Sequence, residues 1–439
     1  MANAIDRFFD LKGRGTSVPT EIMAGFTTFL TMAYIVLVNP AILSQTGMPV
    51  AAVAAATCAS AAFASILMGV FANTPLALAP GMGLNAYFTF TVVKGMGLPW
   101  QVALGCVFIS GICFLVLTVA GVRQLIVNAI PRPLFAAVAG GIGLFIAFIG
   151  LKEAGIVVAN PATTVALGDL KAPMTALALA GLVLTAALSA WRVKGAILIG
   201  ILAVSAAAWA LHLVSFTPQP YSLSELTGTI GALDIKGALN LGHGFGILEV
   251  IFVFLFVDLF DNVGTLVAVS TKAGLVDADG KIPRLNRILT ADSIATIFGS
   301  LMGTSTVTSY IESAAGVEAG GRTGLTAVVT GLLFLVAMVF APYAQLIPAA
   351  ATAPALIIVG SMMMKPLADI DWDDAGVAVP AFLTLIGIPL TFSIANGLAF
   401  GITAYALIKL IRGKAGPGDI GLLILAILFV ARFVFMAQG

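Results

Sequence analysis

The chain has 439 residues, of which 60% are hydrophobic and 9% are charged, and its formal net charge is +1. Soluble domains carry about 25% charged residues, so this composition excludes a soluble globular protein and indicates a membrane protein with many spans. The chain has no basic tract, so we expect no nucleic acid as a partner. The three cysteines lie in apolar runs and the two histidines flank one polar loop, so we expect no disulfide, no metal site and no cofactor.

Apolar runs follow one another along the chain, and a run of roughly 20 apolar residues can cross a membrane as a helix. Residues 1–19 are polar, and because no cleavable signal precedes the first run we expect them to be retained. Seven runs precede a polar loop at 214–245: 20–45, 51–73, 75–93, 99–121, 133–150, 173–190 and 195–213. Seven more follow it: 246–270, 287–303, 304–319, 324–341, 347–365, 374–391 and 393–411. A last run at 418–436 either crosses or lies at the inner surface.

The positions of Lys and Arg predict the orientation of these runs, because cytoplasmic loops carry an excess of both residues. If the amino terminus lies inside and fourteen runs cross in turn, 16 of the 21 Lys and Arg residues fall inside. Four fall outside, and Arg432 falls in the last run. Seven runs per half is an odd number, so the halves would insert with opposite orientation, as in inverted-repeat transporters. The predicted fold is an all-α polytopic membrane protein of fourteen segments in a 7+7 inverted repeat.

The third run of each half is a poor helix. In the first half, Pro75, Pro80, Gly81 and Gly83 crowd the start of the run, and in the second half residues 304–310 read TSTVTSY. Both patterns predict an extended piece followed by a half-helix. Interrupted segments at matching positions indicate a midplane binding site, although kinks that only permit close packing would leave the same pattern.

Four polar residues stand out in the apolar runs. Asp258 and Asp261 share one face of the eighth run, where a central charge costs at least about 2.5–3.5 kcal/mol. Asn85 and Glu312 follow the two breaks, near half-helix amino ends that favour acceptors or anions. Acids in stretches without Lys or Arg disfavour an anionic substrate and favour a neutral ligand with several N–H donors. Burial favours a protonated carboxyl group, which is compatible with proton coupling, and the alternative is a buried helix–helix hydrogen bond.

Four motifs in these stretches resemble the AzgA-type purine permeases, a branch of the nucleobase:cation symporter-2 group. They are GFTTFLTMAYIVLVNPAIL at 25–43, APGMGLNAYF at 79–88, FVDLFDNVGTL at 256–266 and STVTSYIESAAGVEAGGRTGLTA at 305–327. The resemblance implies proton-coupled uptake of purine bases by a homodimer in the lipid of the cytoplasmic (plasma or inner) membrane. The motifs are more similar to those of hypoxanthine and guanine carriers than to those of adenine carriers.

The same resemblance divides the chain into a core domain and a gate domain. The core would comprise 20–121 (segments 1–4) and 246–341 (segments 8–11), and the gate 133–213 (segments 5–7) and 347–411 (segments 12–14). Outside the domains would lie a cytoplasmic amino-terminal segment at 1–19, an extracytoplasmic loop at 214–245 and a carboxy-terminal tail with an apolar helix at 412–439.

Carried over position by position, Asn85, Asp258 and Glu312 correspond to the family's substrate-binding residues. Asp261 matches an acidic position implicated in transport, so Asp261 or Glu312 is expected to carry the proton. Further candidates for lining the cavity are Thr27, Thr28, Tyr87, Phe260, Tyr310, Ser313 and Phe392. Such residues more often serve helix packing and helix–helix hydrogen bonds, so each is also open to a structural interpretation. Asn262 and Asn396 are candidates for supporting the site.

Other functions compete with purine uptake. A uracil or xanthine permease, or an anion carrier of the sulfate-permease type, would share the fold. An ion channel should show a polar stripe along several helices, whereas polarity here is confined to four short stretches. An intramembrane enzyme would need a nucleophile with a base or a metal, and no His lies in the central runs, so no catalytic residue is assigned.

Overall fold

A computed structural model describes residues 2–121, 131–215, 227–240, 246–275, 282, 284–416 and 419–436. Part of the predicted loop 214–245 lies outside these ranges. Some helical side chains, among them those of Phe260 and Asp261, also lie outside the described residues.

The described chain is mostly helical, and its long helices lie on predicted apolar runs. The first half contains α1 Ala2–Phe9, α2 Val18–Met32, α3 Ile35–Leu43, α4 Val50–Leu67, β1 Leu78–Pro80, α5 Met82–Ala86, α6 Trp100–Val119, α7 Arg132–Glu153, β2 Val157–Asn160, β3 Thr164–Leu167, α8 Pro173–Ala190 and α9 Ala196–Ala210. The second half contains α10 Ile235–Leu239, α11 Gly246–Lys272, α12 Leu285–Met302, β4 Val307–Ser309, α13 Ser313–Glu318, α14 Gly324–Ala337, α15 Ala349–Met362, α16 Ala375–Thr391, α17 Ile394–Ile411 and α18 Ile420–Met436. Wider π-helical turns continue α4 over Met68–Ala72 and α5 over Tyr87–Gly95, and 3₁₀ turns cover Ser44–Thr46, Met338–Leu346 and Lys365–Asp369.

Long apolar helices dominate this arrangement. Within the described residues, eight are long and apolar enough to cross a membrane, and three shorter ones are apolar as well. Large apolar side chains such as Val119, Val183 and Leu390 are exposed on their outer faces. Helices that are apolar on their outer surface require lipid around them, so the structure is that of a multi-pass membrane protein.

The two broken runs meet in the interior as a short antiparallel sheet. β1 pairs with β4 in the register Leu78↔Ser309, Ala79↔Thr308 and Pro80↔Val307. The backbone N–H of Gly81 donates to the Thr306 carbonyl at 2.9 Å, and that of Tyr310 donates to the Ala77 carbonyl at 3.0 Å. The predicted extended pieces are therefore present, and each satisfies the other's backbone groups before its half-helix begins.

A hydroxyl group from a neighbouring helix holds each strand of this sheet in the same way. The Ser65 hydroxyl of α4 donates to the Leu78 carbonyl at 3.1 Å and accepts from the Leu78 N–H at 3.0 Å. The Thr296 hydroxyl of α12 donates to the Val307 carbonyl at 3.0 Å and accepts from the Val307 N–H at 3.2 Å. Both strands therefore have polar partners on two sides.

A second sheet corrects the prediction of a purely α-helical chain. β2 and β3 form an antiparallel hairpin between α7 and α8, with Val157 opposite Leu167. The Asn160 side chain accepts from the Ala162 and Thr163 amides at 2.8 and 3.2 Å, which closes the turn. The signal for this hairpin is two valine-containing stretches around an Asn-Pro turn.

The helices pack in two groups. In one group, α6 lies against α11 and α12, while α14 lies against α2 and α4. In the other, α7 lies against α15 and α16, α8 packs on α9, and α16 packs on α17. Fewer contacts join the two groups, chiefly where α5 meets α7 and where α3 meets α15.

A buried carboxylate fastens α2 to the start of α14. Glu21 accepts hydrogen bonds from the Arg322 N–H at 2.9 Å, the Thr326 N–H at 3.1 Å and the Thr326 hydroxyl at 2.5 Å. Its side chain is fully buried. An acid at a helix amino terminus satisfies backbone donors that have no partner within the helix. The polar turn before α14 is thus a fixed connection.

Replacing Glu21 with alanine would leave these buried donors without an acceptor. We expect Glu21→Ala to lower stability by at least about 2 kcal/mol, since each buried unsatisfied group costs about 1–3 kcal/mol. The measurement is the thermal unfolding midpoint of the purified protein in detergent. Glu318→Ala is the matched control, because Glu318 is exposed and pairs only with Lys272 among the described ion pairs. Equal midpoints for the two variants would contradict the role given to Glu21.

Candidate functional site

Asn85 lies one turn into the half-helix that follows β1. Its backbone N–H donates to the carbonyl of Gly81, the residue before α5, at 2.9 Å. Its side chain is fully buried, and its Oδ1 accepts a hydrogen bond from the Ser305 hydroxyl. Among the described residues, its Nδ2 has no hydrogen-bond partner. This amide therefore presents a buried N–H donor next to the sheet, and a buried donor is costly unless a partner binds it.

Asp258 lies in the middle of α11 and is buried. Its carboxylate accepts from the Asn262 side-chain amide at 3.3 Å, and it lies 3.3 Å from the Thr296 hydroxyl, whose one hydrogen it shares with the Val307 carbonyl. The same amide donates to Asp292 Oδ2 at 2.5 Å, while Asn262 Oδ1 accepts from the Ser309 N–H at 3.0 Å. Asn262 therefore joins Asp258 to β4.

Asp292 is a buried acid that the sequence analysis missed. It lies in α12, fully enclosed, and shares the Asn262 amide with Asp258. The signal was available, because a carboxylate inside an apolar run is costly wherever it occurs.

Glu312 is the residue immediately before α13. Its Oε1 accepts a hydrogen bond from the Tyr34 hydroxyl at 2.6 Å, which brings the junction of α2 and α3 to the site. The sequence analysis did not single out Tyr34. The next residue, Ser313, is buried, and its hydroxyl accepts from the Ala77 N–H at 3.0 Å. Ser313 thus binds the backbone leading into β1.

The short sheet brings the three predicted binding residues together. Asn85 is attached to the residues before β4 through Ser305, and Asp258 is attached to β4 itself through Asn262. Glu312 follows the end of β4 by three residues. The Tyr310 hydroxyl closes the group by donating to the Pro80 carbonyl at 2.5 Å. The result is a set of carboxylate acceptors and one amide around a fixed backbone.

The other predicted lining residues are spread more widely. Thr28 is buried where Gly316 of α13 approaches α2, and Thr27 accepts from Lys194 Nζ at 3.4 Å. Tyr87 is buried with its ring edge-to-face with Phe254, at a centroid distance of 5.2 Å. Phe392 lies between α16 and α17, apart from the sheet. The predictions for the Phe260 and Asp261 side chains fall outside the described residues.

A cleft of about 260 Å³ lies beside Phe392, between the two groups of helices. Phe90 and Thr91 from the third run, Glu249 from α11 and Asn396 from α17 also line it. The Thr91 hydroxyl donates to the Phe392 carbonyl at 2.5 Å. Asn396, predicted to support the site, is therefore part of this cleft.

Residues 19–402 match the Permease family (Xan_ur_permease). The chain belongs to this family. The permease is 45% identical over 432 residues to the adenine permease AdeP of Escherichia coli strain K12, covering 98% of this chain and 96% of AdeP. It is 46% identical over 441 residues to the guanine/hypoxanthine permease PbuG of Bacillus subtilis strain 168, covering 98% and 99% of the two chains.

The fold of the permease is also similar to solved structures. The transmembrane domain of the cyanobacterial bicarbonate transporter BicA superimposes with a TM-score of 0.62 at 17% identity, covering 87% of this chain and 97% of that domain. SLC26A9 gives a TM-score of 0.63 at 12% identity, covering 90% and 66% of the two chains. These likenesses concern the fold alone.

A substitution at Asn262 tests the hydrogen bonds that join it to Asp258, Asp292 and Ser309. We expect Asn262→Ala to destabilise the permease by about 1–3 kcal/mol, because the Ser309 N–H and two carboxylates lose a buried partner. Asn286→Ala is the matched control, since Asn286 is exposed near the start of α12. Thermal unfolding of both variants in detergent measures the difference, and an Asn262→Ala midpoint equal to that of the control would refute the bridge.

Proposed function

We propose that the permease takes up purine nucleobases across the cytoplasmic membrane, coupled to protons, with hypoxanthine and guanine favoured over adenine. The observation that carries this proposal is the attachment of Asn85, Asp258 and Glu312 to one buried sheet. Relatives at 45% and 46% identity that carry the names of adenine and guanine/hypoxanthine permeases support the same substrate class.

The chemistry of the site suits a neutral, flat ligand. A purine base offers ring and exocyclic N–H donors, and carboxylates accept two adjacent N–H groups side by side. Nδ2 of Asn85, which has no hydrogen-bond partner in the described part of the chain, offers a donor for a ring nitrogen or carbonyl of the base. Asp258 and Glu312 would accept hydrogen bonds from the N–H groups of the base, while Asn85 Nδ2 would donate to an acceptor atom of the base. Asp261 or Glu312 would exchange the coupled proton.

We also propose an arrangement of the membrane segments. Fourteen segments form two inverted repeats of seven, with the amino terminus inside, and the two helix groups act as core and gate. Ser65 bonds to β1 as Thr296 bonds to β4. These equivalent hydrogen bonds support the repeat, because each comes from the second predicted segment of its half. The similarity to BicA supports the overall arrangement of helices. A homodimer is the proposed assembly in the lipid.

Uptake by cells that lack purine transport tests the function directly. We expect accumulation of labelled hypoxanthine that a protonophore abolishes, since the buried acids would take the proton from outside. Unlabelled guanine and adenine should compete, whereas uracil, xanthine and sulfate should not. Uptake that is indifferent to the protonophore would remove the proton coupling. Competition by uracil or xanthine would favour the alternative nucleobase permeases, and currents without saturable uptake would favour a channel.

Two isosteric substitutions test the site. We expect Asp258→Asn and Glu312→Gln each to reduce hypoxanthine uptake by about tenfold to a hundredfold, because each removes a charged acceptor of hydrogen bonds. The matched controls are Asp373→Asn and Glu318→Gln, which alter exposed acids away from the sheet. Uptake is normalised to the amount of each variant in the membrane. Normal transport by both site variants would exclude this site.

A further inference from the structure

The cleft beside Phe392 lies toward the start of α11, and its lining residue Phe90 follows Asn85 by five residues. Glu249, which lines it, precedes Asp258 by nine residues on α11, or roughly 13 Å along the helix at 1.5 Å per residue. Asn85, Asp258 and Glu312 are not among the described residues that line it. In the proposed orientation the cleft faces outside, since the third run ends and α11 begins there. A ligand in the cleft would therefore be bound before it reaches the midplane.

The lining combines aromatic surface with a few polar groups. Phe90 and Phe392 supply rings, Glu249 supplies a carboxylate acceptor, and Asn396 supplies an amide with both a donor and an acceptor. Pockets for drug-sized ligands measure about 300–1,000 Å³, so a cleft of about 260 Å³ suits one smaller molecule. Lys94 Nζ lies 5.2 Å from the centre of the Phe90 ring, and Lys152 Nζ lies 5.8 Å from the centre of the Phe392 ring. The cleft therefore combines rings, donors and acceptors, which fits a planar nitrogen heterocycle that has both kinds of hydrogen-bonding group.

Phe392 is held in a strained backbone conformation at the cleft. Its φ of 50° lies in the left-handed region, which is unusual for a bulky residue and costs free energy. Its ring is edge-to-face with Phe145 and Phe148, at centroid distances of 5.4 and 5.5 Å. The Thr91 hydroxyl fixes its carbonyl from the other helix group. Residues held in this way cluster at ligand clamps and switch regions.

We propose that this cleft is a second, outer binding site for the purine base, which holds it on its way from outside to the midplane. The inference rests on the proposed function. Glu249 accepts the N–H groups of the base, Asn396 pairs with its remaining edge, and the rings of Phe90 and Phe392 cover its faces. Because the site acts on capture from one side, it raises the efficiency of uptake without changing the midplane step.

Transport in oriented membrane vesicles tests this assignment, with Glu249→Gln and Phe392→Asn as the variants. Asparagine adopts positive φ readily, so Phe392→Asn removes the ring while tolerating the backbone. In right-side-out vesicles we expect KM for hypoxanthine to rise about threefold to tenfold with Vmax little changed, as the loss of one binding contact would give. In inside-out vesicles we expect KM to be unchanged. Glu318→Gln is the control and should leave KM unchanged in both orientations.

The possible results separate this proposal from the proposed function. A wild-type protein that transports no purine would overturn both. If wild type transports and Asp258→Asn abolishes transport, but both cleft variants keep the wild-type KM, the outer site alone is overturned. Equal rises of KM in both orientations would also overturn it, since a one-sided capture site acts on one side. A rise of KM confined to right-side-out vesicles supports the outer site. If one of the two cleft variants inserts poorly into the membrane, the KM of the other variant decides the test.

Discussion

The interior of a membrane protein offers no water to an extended backbone, so every N–H and C=O there needs a partner. The permease meets this constraint by pairing β1 with β4 and by fixing each strand with a hydroxyl group, from Ser65 and Thr296. This pairing permits the breaks in the third and tenth runs. The breaks place Asn85 and Glu312 near the starts of the two half-helices in the protein interior. If the sheet were lost, the proposed site would have no frame.

The sequence predicted those parts of the structure that depend on local composition. Apolar length fixed the positions of the helices, and the prolines and glycines around Pro80 revealed the break in the third run. The bridge from Asn262 to Asp292 could not be predicted, because it joins two helices whose packing is known only from the fold. The same reason applies to the hydrogen bond from Tyr34 to Glu312, because these two residues are 278 positions apart in the chain.

One contact of a predicted lining residue also depends on the fold. Ser313 follows Glu312 and was predicted to line the cavity, and its hydroxyl accepts a hydrogen bond from the Ala77 N–H before β1. A serine near a substrate site and a serine that satisfies a strand have the same sequence context here. The hairpin of β2 and β3 was missed for another reason: its short strands lie in a connection that was interpreted only as a gap between apolar runs.

Among the described residues, few hydrogen bonds join the two helix groups, and one of them runs from the Gln45 side-chain amide to the Glu153 carboxylate of α7. Thr91 donates to the Phe392 carbonyl at one end, and Lys194 donates to Thr27 elsewhere. Hydrogen bonds of this kind contribute about 0.5–1.5 kcal/mol each after solvent exchange. Within the first group, by contrast, Glu21 alone makes several buried bonds to one helix start. This difference is compatible with the proposed division into a core and a gate.

The pairing of β1 with β4 has a consequence for how the chain is made. Tyr310 and Pro80, which are bonded across the sheet, are 230 residues apart. When the ribosome has produced only the first half, β1 has no strand to pair with, and contacts over such distances form slowly. The backbone groups of β1 then lack these partners until the tenth segment has been made. Biogenesis of the permease is therefore completed late, by the meeting of its two halves.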